Sequence, residues 1–335
     1  MLSVFGRRVC GRFGVGSPRR QWRKIPIIVS FVILILIIWF SNPIKLVETA
    51  STANKTILLL SVVVSTISLS CRVLRWKFIV KNTSFTELFP VQMLGITISN
   101  FTPGKIAEPA KALLLKARKG NAVSESLASI VWERIFDLLV LLILAIFGVH
   151  LILANNEFFV FGVIGIVLVL LIVSVALLAI QVRSFGIKVF GIARKFPVLR
   201  RISNEFINTF YETKFKKKML GLSFITTAAA WMLDAAILCL VLFSLGIESN
   251  VLVLAGIISI SGILGIASSL PGGLGSTEIV MTLLLGVTGV PATTAITATL
   301  LMRFISFCYN ALLGGISFIY LSKKIDIWAI LKSGK

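Results

Sequence analysis

The sequence predicts an all-α polytopic membrane protein. Composition is the first reason: 57% of the 335 residues are hydrophobic, 14% are charged, and the mean hydropathy is +1.00. A soluble domain is about 25% charged. The second reason is that long apolar runs recur along the whole chain, and about 20 apolar residues are needed to cross about 30 Å of hydrocarbon. The third is that the basic residues collect at alternate ends of these runs, as the positive-inside rule requires. The net charge of +21 therefore points to anionic lipid headgroups, and no nucleic-acid partner is expected.

Taken in order, residues 1–24 form a basic tail, with Arg7, Arg8, Arg12, Arg19, Arg20, Arg23 and Lys24 and no acid. Such a tail is expected in the cytoplasm. A first span follows over 25–41. A cleaved signal peptide is the competing reading, but the run is long for one and Val47-Glu48-Thr49-Ala50 is a poor cleavage site. The loop 42–55 is expected outside. The span 56–74 returns to Arg72, Arg75, Lys77 and Lys81, read as its inner flank. Residues 88–117 then leave the inner face and come back to Lys116, Arg118 and Lys119. Each arm is too short to span, so this is read as a re-entrant hairpin.

The span 123–149 goes out to a loop, 150–157, without Lys or Arg, and 158–182 returns. The loop 183–218 is strongly basic, and within it Leu199, Ile202, Phe206 and Phe210 recur at helical spacing. It reads as an amphipathic helix on the inner leaflet or as a solvated basic loop. The span 219–244 goes out again. Residues 251–289 must begin and end outside, which makes a second hairpin. Pro291 opens a last helix that ends inside at Lys323 and Lys324, followed by a cytoplasmic tail, 324–335. The expectation is about six full transmembrane helices plus two re-entrant hairpins, about eight hydrophobic segments. They form one domain, 25–323, in the cell membrane with both termini cytoplasmic.

The hairpins resemble each other. One has Pro103-Gly104 and then Glu108; the other has Pro271-Gly272 and then Glu278. A long helix follows each, with Arg134 and Arg303. The prolines lie 168 residues apart and the arginines 169. With the hairpins entering from opposite faces, this is the pattern of an inverted repeat with broken helices. Pro103 and Gly104, then Pro271, Gly272, Gly273 and Gly275, break the helices where backbone polar groups need protein or a water-filled cavity. The N–H groups freed at each break favour an anion. Asn100 borders the first break, Lys105 and Lys111 add positive charge there, and Ser276 and Thr277 are candidate caps at the second. The anion expected is a lipid phosphate.

Ionisable residues deep in a span cost about 2.5–3.5 kcal/mol each on insertion scales and are functional candidates. Glu133 and Asp137 share one helix face, and Arg134 can pair with Asp137. Glu108, Glu278, Arg303 and Asp234 complete the set. Glu278 with Arg134, and Glu108 with Arg303, are candidate cross-pairs. Two readings stand: an ion network that locks the halves together, or a polar path for a headgroup with a carboxylate able to take up a proton.

The four cysteines, Cys10, Cys71, Cys239 and Cys308, are not spaced as metal ligands or a redox pair, and there is one histidine, His150. No cofactor, no metal site and no catalytic residue is expected. No G-x-x-x-x-G-K-[ST] motif is present, so ATP drive is not expected.

Three motifs, N100-F-T-P-G-K-I-A-E-P-A-K111, E133-R-I-F-D137 and L270-P-G-G-L-G-S-T-E278, with a late helix carrying Arg303, resemble the lysylphosphatidylglycerol synthase transmembrane-region family of flippase-like integral membrane proteins. The resemblance covers about residues 20–323. It includes the flippase half of the multiple peptide resistance factor, implicated in moving aminoacylated phosphatidylglycerol between leaflets. Other relatives go with polyprenyl-phosphate glycosyl transfer or hopanoid pathways. The resemblance implies a translocator of a polar phospholipid or polyprenyl-linked lipid, with membrane lipids and a lipid-modifying enzyme as partners. Gly104-Lys105 departs from the Gly-Glu or Gly-Asp often found there. The soluble aminoacyl-transfer domain is not in the sequence, so synthase activity is not expected. The competing functions are a membrane-embedded polyprenyl-phosphate glycosyl or phosphoryl transferase and an accessory subunit of a lipid-modifying complex.

Overall fold

The computed structural model describes residues 43–80, 83–102, 107–120, 123–153, 183–193 and 216–327, with single positions between 30 and 39, at 168 and between 207 and 212. The first break at Pro103, Gly104 and Lys105, the expected span 158–182, the tail 1–24 and most of the tail 324–335 lie outside the described residues. So do Leu199, Ile202, Phe206 and Phe210. All regular structure among the described residues is helical. Three helices there are long and apolar enough to cross a membrane: Lys55–Ile79, Lys217–Ser244 and Ala292–Ser322.

The helices are α1 (Pro43–Ser51), α2 (Lys55–Ile79), α3 (Phe85–Asn100), α4 (Ala110–Lys119), α5 (Val123–Leu153), α6 (Arg183–Ala193), α7 (Lys217–Ser244), α8 (Val251–Ala267), α9 (Ser276–Val287) and α10 (Ala292–Ser322). α1 replaces the plain loop expected over 42–55. A π-turn, Phe304–Cys308, interrupts α10 just after Arg303. Asparagine side chains cap α2 and α8: Asn54 accepts from the Thr56 N–H at 3.0 Å, and Asn250 from the Leu252 N–H at 2.9 Å. Ser84 and Glu87 form a capping box on α3. α4 ends with Lys116, Arg118 and Lys119 against its negative dipole end and stops at Gly120, whose φ is +76°.

α2 and α7 run antiparallel. The Asn54 N–H donates to the Ser244 carbonyl at 2.9 Å, the Ser68 hydroxyl to the Ala230 carbonyl at 3.2 Å, and the Ser223 hydroxyl to the Arg75 carbonyl at 3.4 Å. Ser61, Ser65, Ser68, Ser223, Thr227 and Ala230 are buried. Small residues let helices approach closely where lipid removes the hydrophobic drive between them.

α3 and α4 fold back on each other. At their open ends Lys119 meets Glu87 at 2.5 Å, and Arg118 donates to the Glu87 carbonyl at 2.7 Å. Nearer the tip, Gln92 and Gly95 face Lys111. α8 and α9 form the corresponding pair around the turn Pro271–Gly273. Each pair packs on the long helix of the other half. A Cβ on Gly314 of α10 would collide with Thr97 of α3, and a Cβ on Gly148 of α5 would collide with the Cα of Gly256 on α8.

Two apolar cores result. One joins α5, α7, α8, α9 and α10 through residues such as Leu141, Leu238, Ile257, Leu285 and Met302. The other joins α2, α3, α4 and the end of α10 through Trp76, Leu88, Met93, Leu115 and Leu321.

Candidate functional site

α5 carries Glu133, Arg134 and Asp137 one turn apart. α2 supplies Arg75, the first turn of α4 supplies Lys111, and the turn before it supplies Glu108. Lys111 reaches this place because α3 has a glycine beneath it: a Cβ on Gly95 would stand 3.0 Å from the Lys111 Cβ. The six side chains close a ring of alternating charge. Lys111 pairs with Glu133, Glu133 with Arg75 at 3.1 Å, Arg75 with Asp137, and Asp137 with Arg134 at 3.1 Å. Arg134 then pairs with Glu108 at 2.8 Å, and Glu108 with Lys111 at 3.3 Å.

Three cations and three anions cancel, and each carboxylate has two cationic neighbours. That arrangement offsets the several kcal/mol it costs to bury each ion. Further partners hold the ring in place. Lys111 donates to Gln92 at 3.3 Å and sits 4.6 Å from the centre of the Trp76 ring, while the Trp231 indole donates to Asp137 at 3.1 Å. Five of the ring's side chains are at most 9% exposed; that of Arg134 is 34% exposed.

The second half has a smaller counterpart. Arg303 Nε donates to Glu278 at 2.5 Å, and its Nη2 donates to the Gly272 carbonyl at 2.7 Å. The other Glu278 oxygen accepts from the Gly275 N–H at 2.6 Å. Gly272, Gly273 and Gly275 have φ of +60°, +66° and +91°, conformations that need glycine. Gly273 and Gly265 also let Thr277 pack between them.

The tips of the two pairs touch. A Cβ on Gly272 would stand 3.1 Å from the Asn100 carbonyl oxygen, and the rings of Phe101 and Phe307 meet edge to face at 5.4 Å. Asn100 and Gly272 thus bring the end of α3 onto the turn between α8 and α9.

Several sequence expectations change. The cross-pairs Glu278–Arg134 and Glu108–Arg303 do not form; each glutamate pairs with the arginine of its own half, because each arginine lies one helix after its break. Lys111 does not add free positive charge at a break, since Glu133 and Glu108 neutralise it. Ser276 and Thr277 do not cap α9; the Glu278 carboxylate takes that position, and Ser276 hydrogen-bonds Gly273 and Ser268 instead. Arg75 is not an inner flank charge: its side chain is 1% exposed and central to the ring. Its spacing does not set it apart from Arg72 and Lys77, which flank it in the sequence. Asp234 also has a partner, Arg72 at 2.5 Å, which stacks over Trp231 at 4.9 Å. Among the described residues no group of three His, Cys, Asp or Glu could hold a metal ion.

The family model for the lysylphosphatidylglycerol synthase TM region matches residues 27–314. A UPF0104 membrane protein of Methanothermobacter thermautotrophicus is 30% identical over 308 residues, covering 85% of this chain and 89% of that protein. One from Pyrococcus horikoshii is 26% identical, covering 87% and 94%. One from Methanocaldococcus jannaschii is 22% identical, covering 90% and 96%. The chain belongs to the lysylphosphatidylglycerol synthase transmembrane-region family.

Proposed function

We propose that this member of an integral membrane protein family is a lipid translocator. It moves a polar phospholipid or a polyprenyl-linked lipid between leaflets, past the point where the two broken helices meet. The observation that carries this reading is the contact of the two tips at Asn100 and Gly272, with Phe307 of α10 against both Phe101 and Gly272 and a glutamate–arginine pair beside each. Broken backbone at membrane depth is sustained where it lines a cavity or lies against protein, and in transporters built from inverted repeats such breaks mark the substrate site.

In this reading the chain lies in the cell membrane. The end carrying Glu87, Lys119 and Lys324 faces the cytoplasm, following the positive-inside rule. α3–α4 and α8–α9 dip from opposite faces. The candidate path is lined by Asn100, the ring residues, the turn Pro271 to Thr277 and Glu278, with Arg303 holding that turn from behind. An ion gradient or passive exchange drives movement, and a lipid-modifying enzyme supplies or consumes the lipid.

The test is transport by the purified chain in liposomes. Fluorescent phosphatidylglycerol or a fluorescent polyprenyl phosphate is placed in both leaflets, and an impermeant reductant is added outside. The expected result is that the protected inner-leaflet signal becomes accessible for one of the lipids, and that Glu278→Gln slows this. If neither lipid moves while membranes containing the protein chemically modify one of them, the transferase or accessory-subunit reading replaces translocation.

A further inference from the structure

The two glutamate–arginine pairs are not equivalent as anion sites. We infer that Arg134, and not Arg303, is the residue that binds the phosphate-ester anion. This deepens the translocator reading and rests on it for the lipid source.

The ring allows Arg134 to be shared. If an anion draws Arg134 away, Glu108 keeps Lys111 and Asp137 keeps Arg75, so neither carboxylate is left as an unpaired buried charge. Arg75 and Lys111 have 1% of their side chains exposed and are closed to a ligand, whereas Arg134 has 34%. Its Nη2 serves both Glu108 and Asp137, while its Nε is buried and meets no acceptor among the described residues. A buried donor without an acceptor costs about 1–3 kcal/mol, and when Arg134 swings toward an anion a phosphate oxygen can accept from it and remove that cost. Guanidinium presents its N–H groups in a fork that matches a phosphate.

Arg303 has no such freedom. Its Nε and Nη2 are occupied by Glu278 and by the Gly272 carbonyl of the turn. Moving it would leave the 1%-exposed Glu278 side chain, among the described residues, with no cation and only the backbone N–H of Gly275. Arg303 is therefore a lock on the second turn.

The experiment uses the full chain in detergent and measures binding of a short-chain phosphatidylglycerol and, separately, of glycerol 3-phosphate. Thermal unfolding midpoints are recorded for every variant. Arg134→Gln should weaken binding about tenfold or more, the loss expected of a charge-assisted contact, with a smaller fall in midpoint than Arg75→Gln. Arg134→Lys, which keeps the charge but loses the fork, should bind with intermediate affinity. Arg303→Gln should lower the midpoint but, measured well below it, bind as wild type.

Wild-type affinity in Arg134→Gln, or binding lost in Arg303→Gln with an unchanged midpoint, would overturn the assignment. So would the absence of binding of either probe by wild type. If Arg134-dependent binding is found but no lipid moves in liposomes, the assignment stands and translocation fails. If glycerol 3-phosphate binds and the lipid does not, the site takes a soluble phosphate ester.

Discussion

The two halves of the molecule solve one problem in different ways. In each, a glutamate just before or at the start of a short helix meets an arginine on the next long helix: Glu108 with Arg134 at 2.8 Å, Glu278 with Arg303 at 2.5 Å. The first half surrounds its pair with Lys111, Glu133, Asp137 and Arg75. Counted from Glu108 and Glu278, Lys111 corresponds to Met281; counted from Arg134 and Arg303, Glu133 corresponds to Met302; both methionines are buried. One half is held by a closed charge ring, the other by apolar packing, one ion pair and a glycine-rich turn. The difference is that the first pair is one link in a closed ring of six charges, whereas the second pair stands with a backbone turn and apolar neighbours.

The strongest way to break the comparison is to remove a closed-in charge from the ring. Arg75→Met should destabilise the protein by about 3–5 kcal/mol, the usual cost of breaking a buried pair, read as a loss of folded protein in a denaturant titration in mild detergent. Lys111→Met should cost about as much. Adding Glu133→Met gives the first half the second half's residues at both positions, and it should restore most of that stability, since replacing a buried pair by apolar residues is often neutral.

In the second half, Arg303→Gln leaves the buried Glu278 carboxylate without its cation and should cost about 3–5 kcal/mol as well. The same titration measures it, and an unchanged midpoint would remove the pair from the stability of the second half. The crossings between halves come next. Gly148→Ala and Gly314→Ala should each cost about 1–3 kcal/mol through overpacking. Gly148 should be the worse of the two, because it meets backbone while Gly314 meets the side chain of Thr97.

The smallest effect belongs at the open end of α3–α4. The hydrogen bond from Lys119, helped by the Ser84 N–H, lowers the Glu87 carboxyl from 4.5 to about 2. Glu87 lies outside the segment read as membrane-embedded. A lowered folded-state value means that its contribution is present above pH 4.5 and is lost as pH falls toward about 2. The midpoint difference between wild type and Glu87→Gln should therefore shrink over that range. An unchanged difference would remove the ion pair from the stability of this end.

The membrane class and the helical composition were legible because they rest on run length and charge. Glu108, Lys111, Glu133, Arg134 and Asp137 were legible as candidates because ionisable groups stand out in apolar sequence, and the structure brings all five together. Their partners were not legible, since i,i+3 spacing shows only contacts within one helix. Arg75 was misread because the positive-inside rule treats every cation near a helix end as solvated, while the Glu133 and Asp137 carboxylates of α5 hold its side chain in the interior. Helix α1 was missed because Pro43, Lys45 and Glu48 gave the segment the look of a loop.

The most direct test of translocation through the meeting tips is to fasten the first tip to Phe307 of α10, which lies against Gly272 of the second. In a background with Cys10, Cys71, Cys239 and Cys308 replaced, cysteines at Phe101 and Phe307 can be joined by a short thiol-cleavable crosslinker and the protein assayed in liposomes. Lipid movement should stop on crosslinking and return on reduction, because a headgroup can pass only if the tips separate. Undiminished movement in fully crosslinked protein would place the path elsewhere and contradict the proposal.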